Sequence, residues 1–264
     1  MSFFENKTVW ITGASSGIGE ALTYALSKAG ADLIISSRKR DSLNRVKDAC
    51  TNPEKVKVVP LDLEDEPGLI KTAKETLAST EKIDVLINNG GISQRSLIKE
   101  TDMAVYRKLM NVNFFGTVAL TKEILPLMVR QQGGHIVVMS SLMGKFSSQL
   151  RSGYAAAKHA LHGFFESLRL EHVDDNIKVL MVCPGFIKTN ISLNSVTKDG
   201  SKHNEMDDAQ EGGLSAEACA EKILRAIIAN KDEIYIGGKE IGALYVKRFF
   251  PSLLTRILKN RKVT

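Results

Sequence analysis

The chain has 264 residues, 43% hydrophobic and 25% charged, which is typical of one globular domain rather than a disordered or fibrous protein. Its net charge of +6 comes entirely from residues 241–264, which hold six lysines and arginines and no acid. The neutral remainder excludes an extended nucleic-acid-binding surface, and no uncharged apolar run approaches the roughly 18 residues that would suggest a membrane-spanning helix.

Seven short apolar runs alternate with helical patterns along the chain. The predicted strands are TVWI (8–11), DLIIS (32–36), VKVVPL (56–61), DVLIN (84–88), HIVVMS (135–140), KVLMVC (178–183) and EIYIG (233–237). Helices are predicted over about 16–29, 41–50, 66–80, 103–129 and 215–230, with another that follows the fifth strand. This alternation indicates βαβ units with strands buried on both faces.

The pattern therefore predicts a single α/β domain over residues 1–264. We expect a doubly wound, seven-stranded parallel sheet with helices on both faces, the Rossmann arrangement, and ligands at the carboxyl ends of the strands. The irregular stretch at about 186–214 is long enough to be a functional loop that contacts the substrate. Residues 241–264 form a basic amphipathic tail.

A glycine-rich segment, TGASSGIG (12–19), follows the first strand and opens the first helix. Gly13 suits a sharp turn, Gly17 allows a pyrophosphate to approach the helix N-terminus, and Gly19 permits close packing of helix on strand. The alternative is a tight turn with incidental glycines. The context of strand and helix favours a dinucleotide site.

The second strand ends in SSRKR (36–40). Folds of this kind that bind NAD usually place an acid there, on the ribose 2′-hydroxyl. Ser37 and Arg38 stand there instead, and Arg38 can pair with a 2′-phosphate, an interaction worth roughly 1.5–3 kcal/mol. The sequence thus favours NADP(H) over NAD, unless the basic residues form only a solvated turn.

Polar residues also follow the fourth and fifth strands. The fourth runs into Asn-Asn-Gly-Gly (88–91), which supplies polar side chains and a glycine floor, or else an ordinary turn. Ser141 follows the fifth, and Tyr154 lies 13 residues later with Lys158 four residues further on one helix face. A serine and a tyrosine so placed can converge on one carbonyl. A tyrosine, whose pKa is about 10, needs a nearby cation to act as an acid or base near neutral pH, and Lys158 is placed to supply one. Without the serine and the glycine-rich segment, a Tyr–Lys pair at this spacing would more often be a chance occurrence.

Together these motifs resemble those of the short-chain dehydrogenase/reductase family, in its branch of about 250 residues, close to the length of this chain. NNGG is similar to the family's N-N-A-G, with Gly90 in place of the usual alanine. PLDL (60–63), MNVNFFG (110–116) and CPGFIKT (183–189) match further family motifs, so that the resemblance covers nearly the whole chain. RSGYAAAKHAL and CPGFIKTN are most similar to the hydroxysteroid-dehydrogenase-like and microsomal dehydrogenase/reductase branches.

The resemblance implies residue roles. Ser141 would hydrogen-bond the substrate oxygen, Tyr154 would exchange the proton, Lys158 would lower the pKa of Tyr154 and bind the nicotinamide ribose, and Asn113 would hold a water in a proton relay. Asp62 would contact the adenine and Thr189 the nicotinamide carboxamide. The expected cofactor-binding residues are Gly13, Ser15, Ser16, Gly17, Ile18, Gly19, Ser37, Arg38, Asp62, Leu63, Asn89, Gly90, Tyr154, Lys158, Pro184, Gly185, Ile187 and Thr189.

The implied reaction is hydride transfer between NADP(H) and the carbonyl or alcohol carbon of a small substrate. Apolar residues at 142, 143, 186, 191 and 193 favour a lipophilic compound of steroid, retinoid, acyl or xenobiotic carbonyl type. The alternative is a catalytically silent NADP(H)-binding regulator or a membrane-associated scaffold. The resemblance also implies a homodimer or homotetramer.

The remaining features concern thiols, metals and location. Three widely spaced cysteines, and a first segment without the apolar region of a signal peptide, favour a cytoplasmic protein with reduced thiols. The five histidines show no metal-ligand spacing, and we expect Cys183 to be a buried thiol. The tail either packs on the body or a neighbouring subunit, or contacts an anionic membrane peripherally.

Overall fold

The computed structural model describes residues 2–259 and confirms the predicted architecture. Seven parallel strands form one sheet in the order β3-β2-β1-β4-β5-β6-β7. They are β1 (Thr8–Thr12), β2 (Asp32–Ser36), β3 (Val56–Val58), β4 (Val85–Asn88), β5 (Gly134–Met139), β6 (Ile177–Pro184) and β7 (Glu233–Ile236). The order reverses between β1 and β4, which creates the crevice where such sheets bind ligands.

Ten α-helices connect or follow these strands within the described residues. They are α1 (Gly17–Lys28), α2 (Arg40–Asp48), α3 (Glu66–Ala78), α4 (Met103–Met110), α5 (Gly116–Arg130), α6 (Ser152–Glu171), α7 (Asp208–Glu211), α8 (Ala216–Ile228), α9 (Gly242–Phe249) and α10 (Pro251–Lys259). The predicted loop at 186–214 is irregular except for the single turn of α7.

Side chains that alternate along β1 divide the core into two layers. Val9 and Ile11 pack with α1, α2 and α8 on one face of the sheet. Trp10 packs with α3, α5 and α6 on the other face. Both faces are therefore covered by helices, which explains why the strand sequences are apolar at nearly every position.

Two predicted elements differ from the structure. The third strand ends at Val58 rather than residue 61, because Pro60 has no N–H to offer the sheet, although the N–H groups of Val59 and Leu61 still bond to β2 and the residue after it. The helix predicted over 103–129 is divided by a π-helical segment, Asn111–Phe115, in which the Gly116 N–H bonds to Asn111 O, five residues back.

Met103–Arg130 is, within residues 2–259, the one helical stretch long and apolar enough by composition to cross a membrane. Half of its most apolar window is buried inside the fold. Leu120, Ile124 and Met128 on α5 are completely buried against the sheet, so that this stretch is a core helix here.

The basic tail forms α9 and α10, and partly buried side chains from both helices, among them Leu244, Val246 and Leu258, pack on the body around one buried residue. Leu254 is buried in a small cluster with Leu142, Phe146 and Cys183. Aromatic and aliphatic side chains on the other faces, among them Phe249 and Phe250, remain exposed. The tail therefore packs partly on the body, as one alternative predicted, and residues 260–264, with two of its basic side chains, lie outside the described residues.

Candidate active site

The predicted site residues follow the carboxyl ends of neighbouring strands, and ten of them line one cavity of about 100 Å³. These ten are Ile18, Asn89, Asn113, Ser141, Tyr154, Lys158, Pro184, Gly185, Ile187 and Thr189. The other predicted residues, Gly13, Ser15, Ser16, Gly17, Gly19, Ser37, Arg38, Asp62, Leu63 and Gly90, lie outside this lining. They belong to the segments that follow β1, β2, β3 and β4, including the first turn of α1, toward the β2 side of the switch point.

The glycine loop adopts a conformation that other residues would strain. Gly13 and Gly17 have φ values of +65° and +57°, in the left-handed region that favours glycine. A Cβ on Gly19 would stand 2.3 Å from Gly13 O and 2.5 Å from Asn89 Nδ2. The first turn of α1 is thus pressed against the loop, and its free N–H groups face the place that a pyrophosphate needs.

Asn89 fastens the loop after β4 to the loop after β1. Its Nδ2 donates to Thr12 O at 3.0 Å and to Gly13 O at 3.2 Å, while the N–H groups of Asn89 and Gly90 both donate to Thr12 Oγ1. Gly90 stands where the family usually has alanine, and Leu63 Cδ1 lies 2.6 Å from the position that a Cβ would take. Leu63 thus fills the space of the missing methyl group. The Asp62 carboxylate accepts the Glu64 N–H at 3.0 Å.

The end of β2 presents a buried hydroxyl beside an exposed guanidinium. Ser37 Oγ is buried and has no hydrogen-bond partner among the described residues, although a buried hydroxyl normally has one. The adjacent Arg38 is exposed. A buried donor beside a guanidinium fits an anionic group at this position, and the glycine loop fits a dinucleotide.

Ser141 and Tyr154 approach the cavity from β5 and α6. Ser141 Oγ accepts the Met143 N–H at 3.1 Å and donates weakly to Pro184 O at 3.4 Å. Tyr154 is only 7% exposed. Burial raises the pKa of its phenol, and the hydrogen bond from Ser141 and the charges of Arg151 and Arg95 oppose that rise.

Lys158 lies near Tyr154 but is directed elsewhere. Its Nζ donates to Met139 O at 2.6 Å and lies 5.7 Å from the centre of the Tyr154 ring. Complete burial lowers the pKa of Lys158 to about 8. Desolvation is the main cause of the raised pKa of Tyr154, and the charges that oppose it come from Arg151 and Arg95; the expected lowering of that pKa by Lys158 stays a prediction.

Asn113 occupies the centre of the π-helical segment and is completely buried. Its Oδ1 accepts the Ile92 N–H and its Nδ2 donates to the carbonyls of Ile92 and Leu109, all at 3.0 Å. A Cβ on Gly91 would meet Asn113 Oδ1 at 2.6 Å and Lys158 Nζ at 3.6 Å. Asn113 thus fixes the segment after β4 beside Lys158, and π-helical insertions of this kind are frequent at functional sites.

Sequence reasoning missed a buried ion cluster at the edge of the cavity. Arg95 and Arg151 both donate to Asp207, which lies in the loop after β6, and Ser192 Oγ also donates to Asp207 at 3.0 Å. Arg151 stands three residues before Tyr154, and this closeness in sequence is a signal from which a place near the site could have been predicted. The acid could not be chosen from sequence, since several carboxylates occur in the same loop.

A second missed residue is Gln94, whose side chain is completely buried. Its Oε1 accepts the N–H groups of Gly153 at 2.7 Å and Tyr154 at 3.3 Å. Arg151, the residue before α6, makes no side-chain cap of its own. Gln94 therefore caps the helix that presents Tyr154, from a distant part of the chain.

Behind the cavity, His162 joins a cluster that its sequence spacing does not reveal. His162 Nε2 lies 2.9 Å from Ser140 Oγ, and the ligand atoms of His162, Glu166 and Glu233 lie within 4.8 Å of one another. The ammonium of Lys145 lies 3.0 Å from Glu233 Oε2 and 3.9 Å from Glu166 Oε1, so that a cation already contacts both acids. Cys183 is completely buried, as predicted, and all three cysteines are free.

Comparisons with known proteins agree with the geometry. A profile of the short chain dehydrogenase family matches residues 7–200. Dehydrogenase/reductase SDR family protein 7-like of Drosophila melanogaster is 40% identical over 266 residues, which cover 97% of this chain and 81% of the relative. Dehydrogenase/reductase SDR family member 7 of Homo sapiens is 42% identical over 237 residues, 88% of this chain and 70% of that one.

A solved structure of a short-chain dehydrogenase from Streptomyces avermitilis superposes with a TM-score of 0.82 at 28% identity, and covers 97% of this chain and 96% of that one. Its fold agrees with that of this chain over nearly the whole length of both. The chain therefore belongs to the short-chain dehydrogenase/reductase family of NAD(P)-dependent oxidoreductases.

Proposed function

We propose that this protein is an NADP(H)-dependent carbonyl reductase or alcohol dehydrogenase. The observation that carries the proposal is the convergence of Ser141, Tyr154, Lys158 and Asn113 on one cavity beside the glycine loop. Each of these four side chains is at most 9% exposed. A hydroxyl, a phenol and an ammonium in such a protected space suit proton exchange at a substrate oxygen.

The cofactor preference is argued from the end of β2. Gly13, Gly17 and Asn89 would hold the dinucleotide, with Ser37 and Arg38 at the 2′-phosphate. When bound, NADP(H) supplies or accepts the hydride. An unpartnered buried hydroxyl and an arginine, with no acid at either position, favour a 2′-phosphate over a 2′-hydroxyl.

The protein's own groups supply the remaining chemistry. Ser141 Oγ and the Tyr154 hydroxyl act on the substrate oxygen, Tyr154 as the proton donor for reduction and the acceptor for oxidation. Lys158 places a buried ammonium beside Tyr154 and fixes it through Met139 O. Asn113 holds the Gly91 segment in position, and its part in a water relay remains a prediction.

The substrate class is proposed from the apolar part of the lining. Ile18, Met139, Ile187 and Ile191 line the cavity, whereas the other apolar residues predicted to do so, at 142, 143, 186 and 193, do not. A compact lipophilic carbonyl suits these walls.

The first test is the variant Tyr154→Phe, assayed on a panel of steroid, retinoid, quinone and aryl ketone carbonyls with NADPH. We expect kcat to fall at least 100-fold, since general acid catalysis contributes roughly 10²–10⁴-fold, while NADPH binding is retained. Full turnover by this variant would refute the mechanism. Tight NADPH binding by the wild type without turnover of any compound would favour the silent regulator.

The second test concerns cofactor choice. Arg38→Asp should shift the ratio of kcat/KM for NADPH over NADH by roughly 10- to 100-fold toward NADH, because it replaces a favourable charge with a repulsive one. Arg40→Asp, in the same basic stretch but within α2, serves as the matched control. An unchanged ratio in Arg38→Asp would refute the argument from β2.

We also propose that the tail contacts anionic membrane surfaces and that the protein is otherwise cytoplasmic. Phe249, Phe250 and Leu253 are exposed beside Lys247 and Arg248, a combination suited to an interface with acidic lipids. Co-sedimentation with phosphatidylserine-containing vesicles should exceed that with pure phosphatidylcholine, and Lys247→Glu with Arg248→Glu should abolish the difference. Equal binding to both vesicles would refute it. Self-association into dimers or tetramers remains a prediction, which sedimentation velocity measures.

A further inference from the structure

The buried ion cluster of Arg95, Arg151 and Asp207, at the edge of the cavity, contains more positive than negative charge. Arg95 and Asp207 have side chains that are 1% exposed, and the Arg151 side chain is 10% exposed. Two guanidinium groups therefore share one carboxylate. Buried charges usually occur in balanced pairs, because an uncompensated ion is expensive to desolvate.

The hydrogen bonds show which arginine holds the surplus. Arg95 donates to both Asp207 oxygens, to Ser93 Oγ and to Gln94 O, with a long contact to Ser192 Oγ. Arg151 makes a single bond, from Nη2 to Asp207 Oδ2 at 3.0 Å. Its Nε is buried without a partner in the described part of the chain, although a guanidinium offers five donors in a planar fork. Arg95 is satisfied and Arg151 is not.

Arg151 also faces the reaction site. It lines the same cavity as Ser141, Tyr154 and Lys158. Among the described residues that form this lining there are two cations and no carboxylate. The pKa of Arg151 is lowered to about 10 by burial and by the charge of Arg95, which still leaves it protonated at neutral pH. An anion in the cavity would satisfy the unpaired donors and balance the charge.

We propose that Arg151 binds an anionic group of the substrate, so that the preferred substrates are lipophilic carbonyl or alcohol compounds that bear a carboxylate or a phosphate-type group. This inference rests on the proposed function. Asp207 then orients Arg151 from the substrate loop, and Arg95 keeps Asp207 in place. The apolar walls would contact the hydrocarbon part of the substrate between its oxygen and its acid.

The test uses matched pairs of substrates. Phenyl ketones with a terminal carboxylate, separated from the carbonyl by two, three or four methylenes, are compared with their methyl esters, and a phosphonate series is run in parallel. For the wild type we expect at least one acid to exceed its ester in kcat/KM by roughly 10- to 100-fold, the value of a charge-assisted hydrogen bond. The series with the larger ratio identifies the acidic group.

Three variants localise the effect. Arg151→Gln should bring the acid-to-ester ratio to about one, and it leaves Arg95 and Asp207 as a balanced pair, so that folding should survive. Arg151→Lys, which keeps the charge without the fork, should retain part of the preference. Lys202→Gln removes an exposed cation from the substrate loop that contains Asp207, and it should leave the acid-to-ester ratio unchanged.

A binding measurement separates this inference from the proposed function. Titration calorimetry with 4-phenylbutanoate and its methyl ester, in the presence of NADP⁺, needs no turnover. Tighter binding of the acid that is lost in Arg151→Gln supports the subsite even if no ketone is reduced, whereas that lack of turnover would count against the proposed function alone. Equal affinities, or a wild-type ratio near one, would overturn the subsite. An equal fall in kcat for acid and ester in Arg151→Gln, with the acid-to-ester ratio unchanged, would also overturn the subsite. That result would show that Arg151 acts on Tyr154 rather than on the substrate.

Discussion

Replacement of Gln94 by leucine should lower the activity of the site although Gln94 itself does not line the cavity. Gln94 Oε1 is the acceptor for the N–H groups of Gly153 and Tyr154, at 2.7 and 3.3 Å. Leucine has a similar size but no acceptor, so that both N–H groups would be left at the buried start of α6 without a partner. Tyr154 belongs to the turn that would be released.

The magnitude follows from the two N–H groups that lose their acceptor. The bond from Gln94 Nε2 to Ser96 Oγ at 3.1 Å is lost as well, but Ser96 Oγ still accepts from Thr101 Oγ1. An unsatisfied buried donor costs roughly 1–3 kcal/mol, and the longer of the two bonds contributes less, so that Gln94→Leu should lower the free energy of unfolding by about 2–4 kcal/mol. For a chain of this length, 1 kcal/mol corresponds to about 2 °C in Tm, which gives a fall of about 4–8 °C. A displacement of Tyr154 by about 1 Å would reduce kcat by roughly 100-fold.

The assay combines calorimetric Tm with kcat on any ketone that the wild type reduces. Gln94→Glu is the matched control, since it keeps an acceptor at the helix N-terminus, where negative charge is favourable, and it should retain most of both quantities. If Gln94→Leu kept the wild-type Tm and kcat, the capping argument would be wrong. A loss of Tm with normal kcat would show that Tyr154 is positioned by other contacts.

Three further changes test other parts of the structure. Burial holds the pKa of Lys158 at about 8 against an ordinary 10.5, so the unfolded chain binds more protons between these values. Stability should therefore rise from about pH 8 to about pH 10 by on the order of 3 kcal/mol, and urea unfolding of Lys158→Met should lack that rise. Gly19→Ala places a Cβ 2.3 Å from Gly13 O and should abolish NADPH binding by fluorescence titration, whereas Gly163→Ala, where a Cβ meets nothing within 4 Å, should stabilise α6 by about 0.5–1 kcal/mol. Asp207→Asn leaves two buried arginines without a counter-ion and should cost about 3–5 kcal/mol in denaturant unfolding; an unchanged free energy of unfolding would contradict the charge argument.

The strands and their parallel, doubly wound arrangement could be predicted from local patterns, as could the end of the sheet where the candidate site lies. Continuous apolar runs such as DLIIS (32–36) indicate buried parallel strands, and that run matches β2 residue for residue. Ser141 and Tyr154 are predicted to converge because the serine ends the fifth strand and the tyrosine lies at the start of the next helix. Such inferences need only short-range sequence and general topology.

The features that escaped prediction depend on contacts between distant residues. Gln94 caps α6 across about 60 residues, and Arg95 pairs with Asp207 across 112. The pKa of Tyr154 depends on how deeply the phenol is buried, which spacing along a helix does not reveal. Solvent exclusion is the largest of the effects on this pKa, and the tuning by Lys158 that the sequence suggests stays a prediction.

The π-helical segment Asn111–Phe115 has a consequence for insertions and deletions in this part of the chain. One extra residue per turn is what separates a π-bulge from an α-helix, and each residue of an α-helix advances the face by about 100°. Deletion of one residue from 111–115 would let Gly116 close an ordinary α-helical bond and join α4 to α5 in one regular helix. The resulting helix would rotate α4 about its axis relative to α5 and would draw Asn113 away from Ile92. The deletion of a single residue would therefore remove a buried polar contact that holds the site together.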